Sequence, residues 1–311
     1  MRRRLAGAGF RGIQCGCGLL LLMSVAVPLA GVEVAGESPA CARGVELRLS
    51  SQEAQQGSLL LVEIRSALPL AQLEAHWQGQ RLRFWPAGNP EGVQRALLGV
   101  DLAQPAGRFP LTLSADGASG ERLTCSVWVS VEEVKFAPER LRVDRRFVEL
   151  TLKDLERARR EGERLRALWQ EVTPERLWQG AFRLPLEGIE SAGNFGRRRW
   201  LNQQPRSPHG GEDFSAPAGT PVRATERGRV VLAEALFFSG NTVVLDHGLG
   251  LYTFYGHLES IGVKEGELVE AGAVVGRVGA TGRVTGAHLH WAVRLNATRV
   301  NPLDLVALLA P

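Results

Sequence analysis

Between residues 44 and 134 apolar positions either alternate with polar ones or run unbroken for a few residues, and every run is short. VELRLS, SLLLVEIR, LEAHW, RLRFW, RALLGVDL, FPLTLSA and LTCSVWVSV are separated by turn-forming stretches such as QG, GNPEG, PAG and DGASG. The pattern predicts about seven short antiparallel strands and an immunoglobulin-like β-sandwich over residues 41–135. The period then changes. Leu152, Leu155, Leu165, Leu168 and Val172 make one apolar stripe with charge on the other face, which predicts a helix, weakened in the middle by Gly162. A second short helix is expected from Pro174, a good first-turn residue, so residues 136–180 read as a helical connector. From 181 to 311 the pattern is β again: GRVVLAEA, NTVVLDH, LYTFYGHL, VVGRVG and HLHWAVRL are joined by glycine-rich turns, and LDLVALLA closes the chain as a short helix. The expected fold class is mainly β.

The start of the chain fits neither domain. MRRR is followed by Gly12–Val32, a stretch without charge, and then by small residues. Residues 1–36 therefore read as a cleaved signal peptide or as a retained N-terminal membrane anchor. Either places the bulk of the chain outside the cytoplasm, in the periplasm or cell envelope. The formal charge of +4 shrinks once this segment is set aside, because Arg2, Arg3, Arg4 and Arg11 against Glu33 account for +3 of it. A nearly neutral remainder gives no electrostatic footprint for nucleic acid. The basic run Arg157–Arg166 is interleaved with Glu156, Glu161 and Glu163 and reads as a solvated helix face. Of the four cysteines, Cys15 and Cys17 lie in the leader. Cys41 and Cys125 remain, and in an oxidising compartment an even pair predicts a disulfide; two buried thiols are the alternative.

Histidines carry the chemistry. His288 and His290, one residue apart on a predicted strand, point to one face roughly 7 Å apart at Cα. Asp213 follows His209 by four residues and adds an oxygen donor beside a nitrogen donor. Two histidines, one carboxylate and an open position make a catalytic zinc site, and the remaining histidine is then free to move protons. Thr253, Tyr255 and His257 alternate onto one face of LYTFYGHL, so Tyr255 is a candidate donor to substrate or oxyanion. His247, in LDHGLGL, reads as a turn or supporting residue, and Trp291, opposite His288 and His290, as core. HExxH, a P-loop and a GxSxG elbow are all absent from the sequence.

SAGNFGRRR, SPHGGEDFSAPAGTPV, VVLDHGLGLYTFYGHL, VGATGRVTGAHLHW and the closing NP resemble peptidase family M23, the lysostaphin/LytM-type zinc endopeptidases. The resemblance covers roughly residues 181–306. It implies a barrel-sandwich-hybrid-like β domain, one Zn2+ held by His209, Asp213 and His290, catalytic roles for His257 and His288, and bacterial cell-wall peptidoglycan as substrate, with stem-peptide cross-links as the bonds cut. The sandwich and connector are similar to the N-terminal region of exported members. The groove is expected between loops near Leu201–Pro208, Ala235–Gly240 and Val284–Ala287, with the N-terminal part positioning or partly covering it. The rival reading is a non-enzymatic LytM-like regulator that activates a cell-wall amidase; such relatives lack zinc ligands or catalytic histidines, and here all five positions are filled.

Overall fold

Strand β4 explains how the two halves are joined. Six consecutive residues from Leu59 to Ile64 are buried, which an ordinary half-exposed sandwich strand would not show. One face of β4 lines the interior of the sandwich, and the other packs on the C-terminal half. The computed structural model describes residues 40–310 apart from 43, 68–69, 89–91 and 118–119. The expected leader, with Cys15 and Cys17, lies outside the described residues. No helix among those described is long and apolar enough to cross a membrane.

The sandwich comprises β1 (Ala40–Ala42), β2 (Val45–Leu49), β3 (Glu53–Gln55), β4 (Leu59–Ser66), β5 (Ala71–Trp77), β6 (Gln80–Arg81), β7 (Phe84–Pro86), β8 (Val93–Gly99), β9 (Gly107–Asp116) and β10 (Arg122–Glu132). Its two sheets run β1-β2-β4-β8-β7 and β3-β10-β9-β5-β6. Each run of the sequence pattern appears as a strand, except that RLRFW divides into β6 and β7 in opposite sheets. The division follows Leu82, which is buried between the sheets and whose N–H bonds to Ala75 O. Between the sheets lie Leu47, Val62, Ile64, Trp77, Leu98, Leu111 and Val129.

After the sandwich, β11 (Pro138–Leu141) leads through a single turn of 3-10 helix to α1 (Leu152–Leu168). Thr151 caps α1 by accepting from the Asp154 N–H at 3.1 Å. Only the C-terminal end of the predicted stripe is covered. Leu165 and Leu168 pack with Trp169, Leu232 and Tyr252, whereas Leu152 and Leu155 are 82% and 53% exposed. The helix is moored instead by charge: Arg164 pairs with Glu234 at 2.5 Å, and Arg157 donates to Ala235 O at 2.9 Å. The second helix expected at Pro174 is absent. Backbone groups on either side of it bond to the β domain, Leu249 N–H to Thr173 O at 2.7 Å and Leu177 N–H to His247 O at 2.8 Å, so no helix forms here.

The C-terminal half holds β12 (Arg198–Leu201), β13 (Gln204–Pro205), β14 (Glu212–Phe214), β15 (Pro221–Arg223), β16 (Gly228–Leu236), β17 (Gly240–Asp246), β18 (Leu251–Ile261), β19 (Leu268–Val269), β20 (Val274–Val278), β21 (Leu289–Leu295), β22 (Thr298–Val300) and α2 (Pro302–Leu308). Its main sheet runs β14-β21-β18-β17-β16-β19. β12 pairs with β13 and, in parallel, with β11. One apolar cluster spans both halves, from Leu59, Leu61, Trp85 and Leu97 to Trp178, Phe182, Leu251 and Val300. Polar contacts bridge the same seam: Arg299 pairs with Asp101 at 2.6 Å, and Asn301 N–H donates to Gly57 O at 2.7 Å.

Candidate metal and catalytic centre

Strands β14, β18 and β21 lie side by side and bring the predicted residues together. Asp213 is opposite His290 in the antiparallel register of β14 and β21, and Gly256 is opposite His290 on β18. His209 enters from the segment preceding β14. The donor atoms of His209, Asp213 and His290 converge: His209 Nε2 is 2.9 Å from His290 Nδ1 and 3.1 Å from Asp213 Oδ1, and His290 Nδ1 is 2.9 Å from that same oxygen. These three side chains can hold a metal ion.

Tautomers follow from the partners. His209 Nδ1 faces the backbone carbonyl of Asn194 at 3.0 Å, an acceptor only, so Nδ1 carries the proton and Nε2 presents a lone pair. That lone pair meets a carboxylate oxygen head-on. Such an acceptor-to-acceptor contact is relieved by positive charge lodged among the three atoms, and two imidazole nitrogens with one carboxylate oxygen are a donor set suited to zinc. The residues present therefore fit the ion. Burial pushes the His290 pKa down to about 4, with His209 and Arg199 adding to the fall against the opposing pull of Asp213. Burial alone would raise the Asp213 pKa, but the imidazoles of His209 and His290 outweigh it and hold the carboxyl well below the usual range. At neutral pH the set is thus a charged carboxylate with a neutral His290.

His257 and His288 stand beside this cluster. Their ring centroids are 4.8 Å apart, His257 is 6.1 Å from His290, and His288 Nε2 is 3.8 Å from Asp213 Oδ1. Each turns Nδ1 toward a carbonyl, Thr281 O at 2.8 Å for His257 and Gly286 O at 2.9 Å for His288. Both therefore keep an Nε2 lone pair. Burial, and then the neighbouring His288 and His290, push the His257 pKa down to about 3.

Tyr255 is elsewhere, which corrects the alternation argument. Between Val243↔Tyr255 and Asn241↔Leu258 the register slips by one residue, so β18 carries a bulge, and His257 has φ +64. A bulge reverses the facing of the residues beyond it. Tyr255 and Leu258 thus point into the core while Phe254 and His257 face the site, and Phe254 sits edge-on to His290 at 5.9 Å. The Tyr255 hydroxyl is buried and bonded to Thr225 N–H at 3.1 Å and to the hydroxyls of Thr225 and Thr253 at 3.0 Å each. His247 is likewise structural, bonded to Arg227 O and Thr253 Oγ1 at 2.8 Å each and packed on Phe182. Trp291 is fully buried, as expected.

Four residues that support the cluster escaped the sequence reading. Asn194 Nδ2 and Arg199 both donate to Asp213 Oδ2 at 2.9 Å, which leaves Oδ1 to face the imidazoles. Arg199 is itself held by Glu139 of β11 at 2.7 Å. Buried Glu212 accepts from the N–H groups of Asn194 and Phe195 at 3.0 and 3.1 Å and so fixes the strap that carries the Asn194 carbonyl. Asn194 and Arg199 lie in SAGNFGRRR, so a polar asparagine in a glycine-rich strap was the available signal; Glu139 had none.

Residues 207–302 match the model of peptidase family M23. Among curated relatives, the DD-carboxypeptidase/endopeptidase Mpg of Neisseria meningitidis serogroup B is 45% identical over 103 residues, 33% of this chain and 24% of that protein. The peptidoglycan DD-endopeptidase ShyA of Vibrio cholerae is 43% identical over 97 residues, 31% of this chain and 23% of that protein. The chain thus spans about a quarter of the length of the curated relatives it matches. A crystal structure assigned to peptidase M23 from Pseudomonas aeruginosa is similar over much more of the molecule, with TM-score 0.63 and 30% identity across 81% of this chain and 95% of that one. With likeness of that extent, and with a site of the expected composition, the chain belongs to peptidase family M23.

Proposed function

We propose that the protein is an exported zinc metalloendopeptidase that hydrolyses peptide bonds of bacterial peptidoglycan, with stem-peptide cross-links as its targets. The observation that carries the reading is the convergence of His209 Nε2, Asp213 Oδ1 and His290 Nδ1, with two further imidazoles beside them. The substrate class is supported by the names of the relatives, which include peptidoglycan DD-endopeptidases. His209, Asp213 and His290 would hold the metal. When bound, zinc would polarise the scissile carbonyl and lower the pKa of water into the neutral range.

The remaining steps belong to the chain. His257 and His288 keep Nδ1–H on backbone carbonyls, so each presents Nε2 as a proton acceptor in a fixed orientation. One takes the proton of the attacking water and returns it to the leaving amine; the other, once protonated, stabilises the developing oxyanion. Asn194 and Arg199 hold Asp213 so that it faces the imidazoles. Export would also permit a Cys41–Cys125 bridge, since β1 runs beside β10; the Cys41 side chain lies outside the described residues.

The test is incubation of the purified full chain with cross-linked peptidoglycan in zinc-replete buffer, with and without a chelator, and then mass analysis of soluble fragments. Chelator-sensitive release of cut peptides is expected. No release would overturn the enzymatic reading and leave the regulator in its place.

A further inference from the structure

Beside the candidate site lies more positive charge than the protein itself neutralises. Arg199, Arg206 and Arg283 lie near one another: Arg206 N–H donates to Arg199 O at 2.8 Å across β12 and β13, and both arginines act on Arg283. Burial first, then Arg206 and Arg199, lower the Arg283 pKa to about 10. Arg199 is matched by Glu139 and Asp213. Arg206 reaches only the neutral Gln204 amide oxygen, at 2.7 Å, and the Arg283 guanidinium lies over the Phe238 ring at 4.3 Å. Among the described residues neither has a carboxylate partner.

Arg283 is also rigidly placed. Its N–H donates to Phe238 O at 2.7 Å, and the turn that carries it meets the 238–240 turn backbone to backbone. A Cβ on Gly282, at φ +77, would come within 2.5 Å of Phe238 O, and one on Gly240, at φ +62, within 2.4 Å of the Thr281 backbone. Both turns therefore need glycine. Thr281, two residues before Arg283, supplies the carbonyl that orients His257. A guanidinium partly withdrawn from water and left without a counter-charge is costly. Its planar fork matches a carboxylate, and it stands next to the turn that holds a catalytic histidine.

We infer that Arg283, assisted by Arg206, forms a subsite for a free carboxylate of the substrate peptide, either its C-terminus or an acidic side chain. The inference rests on the peptidase reading above for the identity of the peptide, but not for the charge of the subsite. Carboxylate recognition here would decide which peptides settle against His257 and His288, without taking part in bond breaking.

The experiment compares a cross-linked muropeptide bearing free carboxylates with the same compound converted to amides. Binding to the full chain is measured by calorimetry in a His288→Ala background, and KM and kcat are measured on the active protein. Arg283→Ala should weaken binding of the free-carboxylate compound about tenfold or more and raise KM rather than lower kcat. Arg206→Ala should do so less, and Arg283→Lys should fall between. The amidated compound should bind the parent weakly, and Arg283→Ala should change that little. Equal losses on both compounds, or no loss on either, would overturn the inference, as would failure to bind either one. Carboxylate-dependent binding without any hydrolysis would sustain the subsite while removing the peptidase reading. Hydrolysis of both compounds with the same KM would do the reverse.

Discussion

Arg199 donates to Asp213 Oδ2 at 2.9 Å while its Nε reaches Glu139 at 2.7 Å, so a residue preceding α1 is linked by two hydrogen bonds to the carboxylate of the candidate metal centre. Without Arg199, Oδ2 would keep only the Asn194 amide, and the carboxylate could rotate. Arg199→Met should lower zinc affinity by about ten- to a hundredfold, read by competition with a chromophoric chelator. Glu139→Gln should cost less, since it loosens Arg199 without removing it. Unchanged affinity in Arg199→Met would mean that Asn194 alone orients the carboxylate.

The roles of the histidines separate by metal content. His209→Ala and Asp213→Ala should bind no stoichiometric zinc and lose activity, whereas His288→Ala should retain zinc and lose turnover by about two to four orders of magnitude. Elemental analysis of the purified variants decides this. Loss of the metal in His288→Ala would make it a ligand, contrary to a donor set made of His209, Asp213 and His290.

What the sequence made legible was local. The strand runs, α1, and the His209/Asp213 and His288/His290 spacings each sit within a few residues of one another, and side-chain alternation converts such spacing into facing. Tyr255 was misread because the same rule was carried across residues 256–258, where an extra residue reverses it; Gly256 inside the strand was the one available signal of the bulge. Pro174 looked like a helix start, but the segment around it satisfies its backbone against residues 247–249, far along the chain. Glu139 meets Arg199 through the parallel pairing of β11 with β12, a contact that periodicity does not encode.

The correction for Tyr255 carries its own expectation. Tyr255→Phe leaves the buried Thr225 N–H and two threonine hydroxyls short of a partner. It should therefore lower stability by about 1–3 kcal/mol in urea unfolding, with kcat nearly unchanged. A large drop in kcat at unaltered stability would return the hydroxyl to the catalytic site.

The expected bridge between Cys41 and Cys125 is decided by alkylation. Denatured, unreduced protein should leave both thiols unlabelled, and Cys125→Ser should lose about 2–4 kcal/mol of stability. Labelling of Cys41 before reduction would exclude the bridge.

His247 should add an acid sensitivity separate from that of the site histidines His257 and His290, whose pKa values burial also lowers. Burial pushes its pKa down to about 4 from 6.5, against the opposing effects of Arg227 O and Glu226. A histidine depressed on folding binds its proton more readily in the unfolded chain. Its contribution is therefore complete above pH 6.5 and is lost as pH falls toward 4, in total on the order of 3 kcal/mol. Asp246, whose pKa burial raises, acts in the opposite sense, so the slope of one protein alone is not diagnostic. The difference from His247→Asn is. Asparagine can keep the donor to Arg227 O but cannot titrate, so the variant should be less stable at pH 7 and lose less between pH 6.5 and 4. Parallel stability curves for the two proteins across that window would show that His247 adds no such sensitivity.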